Sequence, residues 1–140
     1  MDDSLFELGV RTRREVLGEA HVSNAQAAQT SFDADFQRYI TESAWGSLWA
    51  RPDLDRRTRS LVTIAILAAL GRTEELALHI RSTVNTGATP NEIAESLMHV
   101  AVYAGVPAAN TAFGIAKREL ATRQADNAAD SAMPNDGARS

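Results

Sequence analysis

The chain has no cysteine among its 140 residues. Disulfides, thiolate-bound zinc, iron–sulfur clusters, redox thiols and a cysteine nucleophile are excluded together. Histidine is scarce: His21, His79 and His99 are the full set, and no two have the H-x-x-x-H spacing of a helical metal pair. Lysine is scarcer still. Lys117 stands alone in a polar Lys-Arg-Glu context that suits a Schiff-base amine poorly. The longest apolar run, around Leu61 to Leu70, is far too short to span a bilayer. The opening MDDSLFELGV is acidic where a secretory signal is basic, so the expected location is cytoplasmic with no membrane partner. A net charge of -4 gives no basic excess, and no nucleic-acid partner is expected.

What remains is ordinary for a soluble globular protein: 44% hydrophobic and 23% charged residues, in a length that suits one domain. The apolar pattern is helical almost throughout, and strand-like alternation is missing. The reading is an all-α domain of about six helices over residues 1–121, followed by a disordered polar tail at 122–140. A first helix is expected from Ser4 to Leu17. A second runs from Ala25 or Ser31 to Trp49, with Phe32, Phe36, Tyr39, Ile40 and Leu48 on its inward stripe. A third begins at the cap Asp55 and ends at Leu70 before Gly71, its second half apolar all round and therefore central. A fourth covers Thr73 to Asn85. The fifth opens on Thr89-Pro90-Asn91-Glu92, a capping box with proline at the first helical position, and ends at Gly105. The sixth runs from Pro107 to Ala121. The apolar surplus of the fourth and fifth helices points to burial between subunits, hence a homo-oligomer.

Three clusters could carry chemistry. Trp45 and Trp49 share a helical face beside a loop bearing Arg51; such pairs commonly just pack, while an arginine before Pro52 can either clamp a carboxylate or solvate its loop. His79 faces the apolar side of its helix, with Glu75 one turn earlier able to orient it or merely to sit in solvent. A lone histidine there is often only a core residue, but burial also tunes its pKa for acid/base work. His99 lies in the nearly apolar run 97–105 and is expected to be buried. Arg56, Arg57 and Arg59 oppose the dipole at the start of the third helix, which suggests an anionic partner.

Four stretches in combination resemble the carboxymuconolactone decarboxylase family: GVRTRREVLGEAHV (9–22), WARPDLDRRTRSLVTIAILAALGR (49–72), ELALHIR (75–81) and AVYAGVPAA (101–109). The wider superfamily includes alkylhydroperoxidase-D-like proteins. Their Cys-x-x-Cys-x-x-x-His would fall on Arg72, Glu75 and His79, and their upstream Glu on Ser60, so peroxidase chemistry is not available to this chain. The resemblance implies an alkylhydroperoxidase-D-like helical fold assembled as a homohexamer. It also implies decarboxylation of 4-carboxymuconolactone to 3-oxoadipate enol-lactone in protocatechuate breakdown, with no cofactor and no metal. Under that reading His79 and His99 supply acid/base or enolate-stabilising groups, with Glu75 as orienter. Arg51 anchors the carboxylated lactone, with Arg72 and Arg81 as helpers; Trp45 and Trp49 wall the pocket, and Glu19 and His21 are further candidates. Two rivals share the fold: a nonenzymatic helical oligomerisation module, and a decarboxylase of the same scaffold acting on another lactone or keto acid.

Overall fold

A computed structural model describes residues 3–131 of the chain. The described residues form eight α-helices and one π-helical segment, with no strand among them. In order these are α1 (Asp3–Leu17), α2 (Glu19–Ala28), α3 (Ala34–Ile40), the π segment (Thr41–Trp49), α4 (Arg56–Leu70), α5 (Thr73–Arg81), α6 (Thr83–Thr86), α7 (Pro90–Tyr103) and α8 (Val106–Ser131).

The expected punctuation is where the sequence places it. Asp55 accepts a hydrogen bond from the Thr58 amide at 2.7 Å and starts α4, and Gly71, at φ 71°, closes it. Thr89 and Glu92 form the reciprocal capping box of α7, with Pro90 at its first position.

Eight helices replace the expected six for identifiable reasons. The expected second helix is broken: residues 25–28 belong to α2, and Gln29 turns extended at ψ 137°. Asp33 then accepts from the Thr30 amide, and helix resumes at Ala34. The sequence pattern hides α2 because Val22 is its one buried residue. The expected fourth helix divides at Ser82, whose hydroxyl donates to the Leu78 carbonyl.

The inward stripe of the expected second helix is also corrected. Phe32, Phe36, Tyr39 and Leu48 are exposed, while Thr41, Trp45, Gly46 and Trp49 face in. The wider π turn shifts the phase of everything after Ile40, so a 3.6-residue count selects the wrong face. In α4 only the Ile64 and Ala68 side is buried; Val62, Ile66 and Leu70 are exposed, which corrects the expectation of a helix buried all round. At the C-terminus, α8 continues through 122–131, where a disordered tail was expected. The alanine-rich composition supports helix without a core to face, and most of these residues are exposed. The rest of that tail, 132–140, lies outside the described residues.

Two apolar cores result. One joins α4, α5, α7 and α8 through Ile64, Leu76, Ile80, Ile93, Leu97 and Ile115, among others. The other joins α1, α2 and the π segment through Val16, Leu17, Val22, Trp45 and Trp49. Helix α5 belongs to both. Its Leu76 and Ile80 enter the first core, while Leu78 packs on the second. Asn85 donates from Nδ2 to the Val16 carbonyl at 2.9 Å, tying the end of α1 to α6. An Arg56–Glu15 ion pair ties α4 to α1.

The α1–π crossing is tight at two glycines. A Cβ on Gly9 would overlap the Thr41 carbonyl oxygen, and one on Gly46 would stand 2.7 Å from the Leu5 carbonyl oxygen. Both obstacles are backbone, so neither can swing aside. We expect Gly46→Ala to lower stability by about 1–3 kcal/mol, the usual range for overpacking. Gly114→Ala, whose added Cβ meets nothing within 4 Å in mid-α8, should stabilise by about 0.5–1 kcal/mol. Denaturant midpoints of the two variants check both signs.

Candidate active site at the seam of two cores

Trp45 and Trp49 stand one turn apart on the π segment, 7% and 5% exposed, with ring centroids 5.3 Å apart at 29°. His79, in the last turn of α5, stacks against both. Its ring lies 6.4 Å from Trp45 at 8° and 6.0 Å from Trp49 at 20°. The sequence reading places these three residues in separate clusters; the fold makes them one.

The stack sets the charge of the imidazole. Burial, with His21 as a second like-signed neighbour, holds the His79 pKa down at about 4, against a smaller opposing pull from Glu75. Near neutral pH the ring is therefore uncharged, with one donor and one acceptor nitrogen. Its Nδ1 is buried and has no hydrogen-bond partner in the protein. Buried polar atoms are normally satisfied, so this one is free for a ligand.

A second imidazole acts on His79, and two arginines act on it in turn. His21, on α2, has its pKa lowered by burial first, then by Arg13 and Arg81. Arg13 is partly buried, and desolvation lowers its pKa too. It donates to Gln37 Oε1 at 3.4 Å, its Nε is buried without a partner, and among the described residues no carboxylate pairs with it. Arg13 also lines a cleft of about 260 Å³ with Phe6, Val10, Val22, Gln37 and Thr41. Val22 is common to this cleft and to the tryptophan core. The arrangement suits an anion held beside a neutral, desolvated imidazole.

The other expected site residues fall as follows. Arg81 pairs with Glu119 at 3.0 Å and acts electrostatically on His21. Glu75 is exposed and reaches His79 only through its field. Glu19 is exposed and engages Arg14 and Ser23. Arg51 is exposed and pairs with Asp53 at 3.2 Å. Arg72 is exposed at the start of α5. His99 corrects the expectation of burial: it is exposed on α7, its ring stacked 6.2 Å from that of Tyr103, itself 85% exposed. The apolar run containing it faces the core only through Leu97 and Val100. Two polar residues escaped the sequence reading as site members. Arg13 carries no local signal beyond its place in the 9–22 stretch. Arg59 is visible only as part of a basic run, yet it is just 9% exposed.

Because the unfolded chain binds a proton at His79 near its ordinary pKa of 6.5 and the native one only near 4, stability is constant above that window and falls as pH drops through it. The loss from this group is roughly 3 kcal/mol, fully developed below pH 4. His21 adds in the same direction. We expect His79→Phe, which keeps an aromatic ring in the stack, to flatten the acid limb of the stability–pH curve between pH 6.5 and 4. Urea melts at stepped pH measure it.

Comparison with known proteins places this geometry. The model of the carboxymuconolactone decarboxylase family matches residues 34–118. A 4-carboxymuconolactone decarboxylase of Acinetobacter baylyi is 47% identical over 116 residues, covering 83% of this chain and 87% of that protein. A nitrosuccinic acid decarboxylase of Metarhizium robertsii is 40% identical over 116 residues, covering 83% and 81%. An uncharacterized 15.0 kDa protein of Paracoccus denitrificans is 35% identical over 80 residues, covering 56% and 60%. With its all-helical fold and a family match that includes Trp45, Trp49 and His79, the chain belongs to the carboxymuconolactone decarboxylase family.

Proposed function

We propose that the protein decarboxylates 4-carboxymuconolactone to 3-oxoadipate enol-lactone in protocatechuate catabolism, without a cofactor. The observation that carries this reading is the neutral imidazole of His79, half-buried against two tryptophans, with a buried Nδ1 that has no partner among the described residues. The 47% identity to the Acinetobacter decarboxylase supports the same substrate.

The substrate carries its own electron sink. Its leaving carboxylate sits on the ring carbon that also bears the lactone oxygen and an acetate arm. When that carbon–carboxylate bond breaks, CO₂ departs and the electron pair moves through the ring double bond onto the lactone carbonyl oxygen. A proton added at the carbon next to that carbonyl completes the enol-lactone. The pocket must favour the dienolate over the starting dianion. An imidazolium would grip the ground-state carboxylate and hold it in place. A neutral imidazole does not; it can donate an N–H to the carbonyl oxygen as charge accumulates there, and the tryptophan walls keep that bond out of water. We assign this role to His79. Arg13 and Arg81 supply the positive field; burial first, and then that field, keep His21 uncharged as well. Arg51 and Arg72 remain candidate anchors, Glu75 an orienting acid, and Glu19 and His99 outer candidates.

The Metarhizium relative favours a second reading: another activated dicarboxylate as substrate. Nitrosuccinic acid also bears an acceptor on the carbon that carries a carboxylate. A panel of both compounds, followed by CO₂ release, decides between them.

We further propose a cytoplasmic homohexamer. Val62, Ile66 and Leu70 form an exposed stripe on α4, and Met98 and Val102 an exposed pair on α7; apolar patches of this kind are commonly covered by another subunit. No helix among the described residues is long and apolar enough to cross a membrane. Light scattering should return six copies, and Ile66→Asp should lower the mass.

Loss of the His79 donor should reduce kcat by about 10²–10⁴. Single-turnover decarboxylation by His79→Phe, checked for folding by circular dichroism, reads this. A wild-type rate would remove His79 from the mechanism, and an inactive wild-type protein would remove the proposed reaction.

A further inference from the structure

Four arginines lie between positions 51 and 59, and three of them have an acid. Arg51 pairs with Asp53, Arg56 with Glu15 and Arg57 with Glu92. Those three are more exposed, where an ion pair contributes little. Arg59 is the most buried, at 9% exposure, and no carboxylate among the described residues pairs with it. Among the described residues its one acceptor is the Arg51 carbonyl, 3.2 Å from Nη2, and its buried Nε has no partner there. A guanidinium offers five N–H donors in a fork shaped for a carboxylate. A buried cation left with one carbonyl is expensive, and a protein retains such an arrangement where an anion completes it.

The position of the guanidinium says which anion. Its carbonyl partner is two residues beyond Trp49, so the guanidinium is tied to the loop that directly follows the tryptophan pair. The adjacent Ser60 hydroxyl is wholly buried and also lacks a partner. The start of α4 thus holds two buried donors without a partner among the described residues, one of them tied to the loop after the tryptophan pair.

We infer that Arg59 is the anchor for the carboxylate the substrate keeps, the acetate arm next to the reacting carbon. This rests on the decarboxylase reading and extends it to a substrate class: acids whose leaving carboxylate and retained carboxylate are joined as in a substituted succinate. The division of labour has a physical reason. A strong fork on the leaving carboxylate would stabilise the ground state and slow the reaction. The same fork on the retained carboxylate binds ground state and transition state alike and fixes the ring against His79.

The test uses the intact protein and a stable probe, furan-2-acetate, with the neutral furan-2-acetamide as its isostere, measured by calorimetry. Wild-type protein should prefer the acetate by roughly 10- to 100-fold, the range for a charge-assisted pair. Arg59→Gln should bind the two probes equally and raise KM for 4-carboxymuconolactone by a similar factor. Arg59→Lys should keep part of the preference, because it retains the charge and loses the fork. Arg56→Gln, which loses only its exposed pair with Glu15, should behave as wild type. Equal binding of both probes by wild-type protein overturns the inference, as does an undiminished preference in Arg59→Gln. If Arg59→Gln fails to fold, Arg59→Lys decides: a full wild-type preference and KM overturn the anchor role. A wild-type protein that prefers the acetate yet leaves the lactone intact supports Arg59 as a carboxylate site and overturns only the proposed reaction.

Discussion

An imidazole stripped of water cannot easily hold a proton, and everything proposed for this site depends on that. Here the water is displaced by indole. Trp45 and Trp49 present their faces to His79 at stacking distance, and the desolvation this causes outweighs the attraction of Glu75 and any benefit from the end of α5. A charged His79 would bind anions more tightly, but it would do so before the reaction rather than during it.

The stack depends in turn on how closely helices approach. The π segment can lie on α1 only because Gly9 and Gly46 remove side chains where backbone meets backbone. Its wide turn brings Trp45, Gly46 and Trp49 onto the same inward side as Thr41. From the other direction α5 is held by Leu76 and Ile80 in the first core, which gives His79 a rigid mount. A side chain on an element shared by two cores has little freedom to move away from the rings it faces. That is the kind of support a preorganised donor needs.

Charge follows the same logic. Six arginines, Arg14, Arg38, Arg51, Arg56, Arg57 and Arg81, meet an acid at or near the surface, and such pairs add little. Arg13 and Arg59 depart from this pattern: each is at least partly sheltered, each has a buried Nε without a partner, and each lacks a carboxylate among the described residues. The proposed site draws its attraction for anions from these two guanidinium groups, with no fixed positive charge on His79 itself.

Local chemistry was legible in the residues. The helical class, the caps at Asp55 and Thr89, and the stops at Gly71 and Gly87 all follow from near-neighbour rules, because capping and periodicity act within a turn or two. Residues read by a regular period went astray wherever the period itself changed. Phe32 points outward within the break at 29–33, Phe36 and Tyr39 point outward on the short helix that this break separates from α2, and Leu48 points outward on the π helix that follows. His99 sits in an apolar run yet faces solvent, since one face of α7 suffices to fill its core. The sequence by itself determined the helical class and the capped starts and glycine stops of its main helices. Only the tertiary structure decided that two tryptophans from one element and a histidine from another would share a dry space, and that Arg59, alike in sequence to its neighbours, would be the one left without an acid. Burial and partnership are properties of packing between distant segments, and no local rule contains them.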